Sequence, residues 1–163
     1  MDSPYLETLY EMAHQLNTSP DIPSVLETVV EHLPKVIDAR FCSLFTVNPA
    51  SNELEIRAHN HPDIGGDPFI SVGSERESIM NLAIARGSSL IVKDIEEEIG
   101  FPKKEKYATK SFMCIIVRKG ERTLGVLNLA DKSSGNFTRE DMLIASIVCE
   151  LLGAFLGGIE PGL

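Results

Sequence analysis

Tryptophan is absent from the 163-residue chain, and cysteine occurs only at Cys42, Cys114 and Cys149. These thiols are odd in number, far apart and each set in an apolar run, which suits reduced core thiols and argues against a disulfide framework. No Cys-x-x-Cys or Cys/His spacing suggests structural zinc. Positive charge is also scarce, with 15 Lys and Arg against 24 Asp and Glu and a net charge of -9. The long-range field therefore repels phosphate backbones and anionic lipid surfaces, so neither nucleic acid nor membrane is an expected partner. The opening MDSPYLETLY has no basic stretch followed by an apolar one, and no window approaches the ~18 apolar residues of a spanning helix. A soluble, cytoplasmic protein is expected. There is no Gly-rich phosphate loop, since Gly65-Gly66 is a turn signal only.

What is present is helical and strand periodicity in a definite order. Leu6, Leu9, Tyr10, Ala13 and Leu16 recur at helical spacing, as do Ile22, Val25, Leu26, Val29, Val30, Leu33, Val36 and Ile37. Two amphipathic helices are predicted, and Pro34 should kink or shorten the second. From Arg40 onwards, FCSLFTV (41–47) and LEIRAH (54–59) flank the turn-rich NPASNE and predict a β-hairpin. Strict alternation in the second strand would put Leu54, Ile56 and Ala58 on one face and Glu55, Arg57 and His59 on the other. Ser74 and Glu77 have the spacing of a capping box for a helix to about Arg86, stopped by Gly87.

A short strand at 89–92 precedes a charged segment, 93–110, which is long for a plain connection and has the character of a lid or binding loop. Two strands, SFMCIIV and TLGVLNLA, then meet at a hairpin around Gly120. Thr138 can cap a last helix running to about Leu156. That helix is apolar on most sides, so either the sheet and the second helix enclose it or a second chain does. Hairpins mixed with helices predict an α+β fold around an antiparallel sheet in a single domain, residues 1–163, with its core at about 21–157 and an N-terminal helix and connector at 1–20.

Several chemistries compete for the polar residues. His59 and His61, with Asp63 or Asp67, would make a three-ligand metal site if the strand continued, but Pro62 follows at once and the strand is expected to end at His61. A nuclease reading of His-Asn-His lacks the following helix with a metal-binding His and a basic DNA-binding face. The acidic run Glu96, Glu97 and Glu98 reads as a solvated face, since paired acid/base carboxylates need enclosure. No cofactor, metal or catalytic constellation is predicted.

Four segments in order resemble the GAF domain family. They are DARFCSLFTVNPASNELEIRAHN (38–60), AIARGSSLIVKDI (83–95), KSFMCIIV (110–117) and LGVLNLADKSSGNFTREDMLIASIVCELLGAFL (124–156). The resemblance implies a PAS-related central antiparallel sheet of about six strands, with terminal helices on one face. On the other face it implies a small-molecule pocket, roofed by the helix at 74–86 and the loop at 93–110. It further implies a sensory or regulatory domain, a homodimer joined through its terminal helices, and an output signalling domain or partner protein. Carried over by position, the ligand-binding residues are Ser43, His59, Asn60, Ile79, Met80, Tyr107, Thr109, Lys110 and Asn128.

The signature of cyclic-nucleotide-binding members is met only in part. Lys132, Phe137 and Asp141 match, while Asp131 stands for Asn and Met142 for Glu, so these residues read as a structural motif. A bilin would need an exposed Cys with aromatic and His neighbours, which none of the three thiols has. Free methionine sulfoxide reductases, which share the fold, place cysteines around the start of the middle helix and in the roof loop, where this chain has none. That enzyme and a ligand-free dimerisation scaffold are the alternatives.

Overall fold

The computed structural model describes residues 3–18, 21–61, 69–71, 79–100 and 107–159. Two helices, α1 (Pro4–Thr18) and α2 (Ile22–Ile37), lead into the hairpin of β1 (Ala39–Asn48) and β2 (Glu53–His59), followed by β3 (Phe69–Ser71). Next come α3 (Ile79–Arg86), β4 (Leu90–Val92), the single turn α4 (Ile95–Glu98), the hairpin of β5 (Phe112–Lys119) and β6 (Arg122–Lys132), and α5 (Arg139–Ile159). The strands form one antiparallel sheet in the order β3-β2-β1-β6-β5-β4. The short β3 lies beyond the five strands that periodicity marks out. The capping box of Ser74 and Glu77 lies outside the described residues.

The main core lies between the sheet and α1, α2 and α5. Val25, Leu26, Val29, Leu33 and Ile37 of α2 meet Cys42 and Leu44 of β1, Met113 and Ile115 of β5, and Val148, Cys149 and Leu152 of α5. α2 runs past Pro34 to Ile37, so the proline does not end it. Asp38, left-handed at φ 64°, closes the helix by donating its N–H to the Pro34 carbonyl. Gly153 lets α5 lie directly on β5, because a Cβ there would stand 2.0 Å from the Arg118 carbonyl oxygen.

In α1 the inward stripe is Tyr5, Thr8, Leu9, Met12 and Leu16, whereas Leu6, Tyr10 and Ala13 of the expected stripe face outward. The helix carries two apolar stripes about 100° apart, and only one can meet the core. By length and composition Arg139–Gly158 is apolar enough to cross a membrane, contrary to the reading of the sequence. Its charges gather at the N-terminal turn, leaving Glu150 alone further along. The inner side of this helix is committed to β5, β6 and α1.

Alternation in β2 also breaks. Leu44 pairs with Ala58 while Phe45 pairs with Ile56, so Arg57 is an extra residue, a β-bulge. Leu54 and Ile56 pack on the far face, Ala58 packs in the main core, and Arg57 reaches the Thr46 hydroxyl at 3.1 Å. The bulge reverses the facing of everything after it, so His59 points to the far face together with Leu54 and Ile56.

Candidate functional site

Residues directly paired across an antiparallel sheet project to the same side. The register links His59 to Ser43, Ser43 to Asn128, Asn128 to Cys114 and Cys114 to Leu90. These five side chains make one row across five strands, on the face opposite α1, α2 and α5. The face follows from Phe45, two residues beyond Ser43, which packs with Ile79, Met80 and Ala83 of α3.

The row is polar between two apolar flanks. One flank is Ile56, Phe45, Val126 and Ile116, roofed by α3 and by Ile95 of α4. The other is Phe41, Ala130 and Phe112. Tyr107 stands edge-on to the Phe112 and Phe41 rings, with centroids 5.0 Å and 5.5 Å away, and His61 stacks on Phe41 at 4.7 Å. The His61 side chain therefore turns back into an aromatic cluster.

Ser43 is buried, and its hydroxyl accepts a long 3.5 Å hydrogen bond from Asn128 Nδ2. Asn128 Oδ1 is buried and has no hydrogen-bond partner among the described residues. Burial pushes the Cys114 thiol up to about 12, so at neutral pH it is protonated and a poor nucleophile. Cys42 and Cys149 are buried in the main core, where desolvation likewise holds them protonated. His59 is the exposed end of the row, its Nδ1 accepting the His61 N–H at 3.2 Å. Among the described residues no group of three or more His, Cys, Asp or Glu is placed to hold a metal. Asp63 and Asp67 lie outside those residues.

The other sequence-predicted contacts divide. Ile79, Met80 and Tyr107 are buried walls. Asn60 is engaged elsewhere: its Oδ1 accepts from the Cys42 N–H at 2.7 Å and its Nδ2 donates to the Arg40 carbonyl at 3.1 Å, so the amide extends the ladder beyond β2. Lys110 pairs with Glu96 at 2.5 Å on the exposed side, and its carbonyl accepts from the Ile95 N–H. The Glu96 hydrogen bond first, and then the negative charges of Glu96, Asp94 and Glu97, push the Lys110 amine up. The acidic run is a capped turn, with Asp94 Oδ1 accepting from Glu96 and Glu97 and with Glu98 Oε2 accepting from Lys93 and Asp94.

Thr109 is fixed by Asp131. Both carboxylate oxygens of this buried residue are used, Oδ2 on the Ala108 N–H at 3.0 Å and Oδ1 on the Thr109 N–H at 2.9 Å. Asp131 thus ties the end of the roof segment to β6. An Asn in its place would offer a single acceptor oxygen. Sequence reasoning missed this anchor, along with Phe41, His61 and Phe112 as walls. The alternation Phe41, Ser43, Phe45 carried the signal for the first.

Lys132, Phe137 and Asp141 lie away from the row. Lys132 Nζ is 3.0 Å from Asp141 Oδ2 and donates to the Ile37 carbonyl. Asp141 Oδ2 accepts from the Thr138 N–H and Thr138 Oγ1 from the Asp141 N–H, a reciprocal cap at the start of α5. Phe137 is in the main core. The trio joins α2, β6 and α5, and the ion pair is buried.

The family model of the GAF domain matches residues 21–156, spanning α2 to α5. The chain belongs to the GAF domain family. No curated protein matches it in sequence. The fold of this GAF domain is similar to that of the GAF domain from the Acinetobacter phosphoenolpyruvate-protein phosphotransferase, with a TM-score of 0.84, 15% identity, and 99% of this chain and 97% of that one covered. It is also similar to the free methionine-R-sulfoxide reductase from Neisseria meningitidis in complex with its substrate, with a TM-score of 0.81, 17% identity, and 100% and 95% coverage. Residues 122 to 287 of a methyl-accepting chemotaxis protein match with a TM-score of 0.74, 15% identity, and 92% and 97% coverage. The same fold therefore occurs in a phosphotransferase, in a methyl-accepting chemotaxis protein and in a sulfoxide reductase.

Proposed function

We infer that this GAF domain is a cytoplasmic sensory or regulatory module that binds a small organic molecule on the polar row, and that it dimerises through its terminal helices to control an output module. The observation that carries the reading is the sheet face itself. A row of hydroxyl, amide and imidazole groups lies between two apolar flanks, beneath α3 and the Asp131-anchored segment, and includes a buried carbonyl oxygen with no partner among the described residues. Mixed apolar walls with a few convergent polar groups are what an organic-ligand site requires. Ligand enclosure can shift the packing of the terminal helices only by binding one packing more tightly than the other.

Native mass spectrometry of the purified protein is expected to show a mass increment that disappears on Ser43→Leu, a replacement that fills the middle of the row. A wild-type protein that carries no added mass and shows no thermal shift with any member of a metabolite library would overturn the reading in favour of a dimerisation scaffold.

A second reading, free methionine sulfoxide reduction, draws support from the likeness to the Neisseria enzyme. That chemistry needs an attacking thiolate and a resolving thiol. Weighing against it, Cys114 is the single cysteine on the row, and the other two face the main core. Thiol-dependent turnover of free methionine sulfoxide that is lost in Cys114→Ser would establish this second reading.

A further inference from the structure

Asn128 is the incomplete member of the polar row. Its Nδ2 donates to Ser43 Oγ at 3.5 Å, and its Oδ1 is sealed from solvent without a donor among the described residues. A primary amide has two N–H donors and a carbonyl acceptor, so one N–H and the oxygen remain to be paired. Leaving such an acceptor unpaired destabilises the fold, because its lost hydration is not replaced. Nothing in β6 calls for an amide at this position. Its neighbours on the same face, Val126 and Ala130, are apolar and buried, and Leu127 and Leu129 fill the main core behind it.

We propose, resting on the ligand-binding reading above, that the molecule held here presents an N–H beside a C=O on one planar edge, as a lactam or cyclic imide does, and that Asn128 reads that edge with two hydrogen bonds. The carbonyl of the ligand accepts from Nδ2, and its N–H donates to Oδ1. Ser43 fixes the amide plane from the other side. The flat body of the ligand lies between the Phe41, Phe112 and Tyr107 rings and the Phe45 flank, where aromatic walls favour planar molecules. Cys114 is a wall of the site, not a nucleophile. A group that only accepts, such as a sulfoxide oxygen, satisfies the N–H and leaves Oδ1 unpaired.

The compound 2-pyridone carries this edge, while N-methyl-2-pyridone keeps the ring and carbonyl and lacks the N–H. In titrations of the 15N-labelled protein, 2-pyridone is expected to shift the Asn128 side-chain NH2 signals and the backbone amides of Ser43 and Cys114. The N-methyl compound is expected to bind at least tenfold more weakly, and Asn128→Leu to erase the difference. Should Asn128→Leu fail to fold, Asn128→Thr, which loses the paired edge and keeps a hydroxyl, carries the same expectation. Equal binding of the two pyridones, or 2-pyridone binding that survives the substitution, overturns the proposal. Shifts along the row with free methionine sulfoxide or cyclic AMP but with neither pyridone overturn it and leave ligand binding standing. Silence towards all four compounds overturns the proposal, and the ligand-binding reading falls with it only if the wild-type protein also carries no added mass and responds to no member of the metabolite library.

Discussion

Tyr107 concentrates the chemistry of the roof in one residue. Its ring closes the aromatic flank, and burial, followed by the negative charge of Asp131, pushes its phenol from 10.0 up to about 12. The folded protein therefore holds this proton to higher pH than the unfolded chain does. The associated stability is complete below pH 10 and is lost as pH rises from 10 to about 12, where the unfolded state binds fewer protons. At about 1.4 kcal/mol per pKa unit, the loss amounts to roughly 1–3 kcal/mol. Urea unfolding at pH 9 and at pH 11.5 is expected to give a larger drop for the wild type than for Tyr107→Phe, which has no phenol to ionise. An equal drop in both would mean that the phenol does not feel Asp131 or its burial.

Between elements, the decisive contact is Lys132 with Asp141, because it ties the end of β6 to the start of α5 and to the last carbonyl of α2. The pair lies almost out of solvent, with side-chain exposures of 10% and 1%. Removing one partner leaves a buried charge uncompensated, which costs about 3–5 kcal/mol, whereas an exposed pair is worth about 0–1 kcal/mol. Lys132→Met is thus expected to lower stability by several kcal/mol in chemical denaturation, while a double replacement, Lys132→Met with Asp141→Leu, recovers much of the loss. A loss under about 1 kcal/mol for Lys132→Met would show that water reaches the pair.

The elements themselves were largely legible, since α2, both long hairpins and α5 follow apolar periodicity and their turn residues. Facing was harder to read. The extra residue Arg57 leaves no mark in the alternation of LEIRAH, yet it decides that His59 joins Ser43 on the site face. The two stripes of α1 are equally apolar, and only the position of the sheet selects one. Of the candidate site residues, Ser43, His59 and Asn128 fall in one row through strand register. Asn60 and Thr109 are drawn into hydrogen bonds with the Cys42 backbone and Asp131, pairings that need distant segments and have no local signal.

At the scale of the molecule, the outer faces of α1 and α5 remain apolar after the core is built. Leu6 and Tyr10 on α1 are 67% and 70% exposed, and Leu143 and Ile147 on α5 are 48% and 45% exposed. Each pair is four residues apart and so lies along one side of its helix, and the two helices pack together on the same face of the sheet. A ligand-controlled change of helix packing, as proposed, needs these stripes to meet those of a second copy. The stripes are separate from the core contacts of α5, which Val148, Cys149 and Leu152 make. Replacing Leu143 and Ile147 together with Glu is therefore expected to convert a dimer to a monomer in light scattering, with far-ultraviolet circular dichroism unchanged. The same variant should still bind the ligand of the polar row, because the sheet stands between the two surfaces. A wild-type protein that stays monomeric from micromolar to near-millimolar concentration would remove the helix route for the signal, and the occupied site would then have to act through the roof segment.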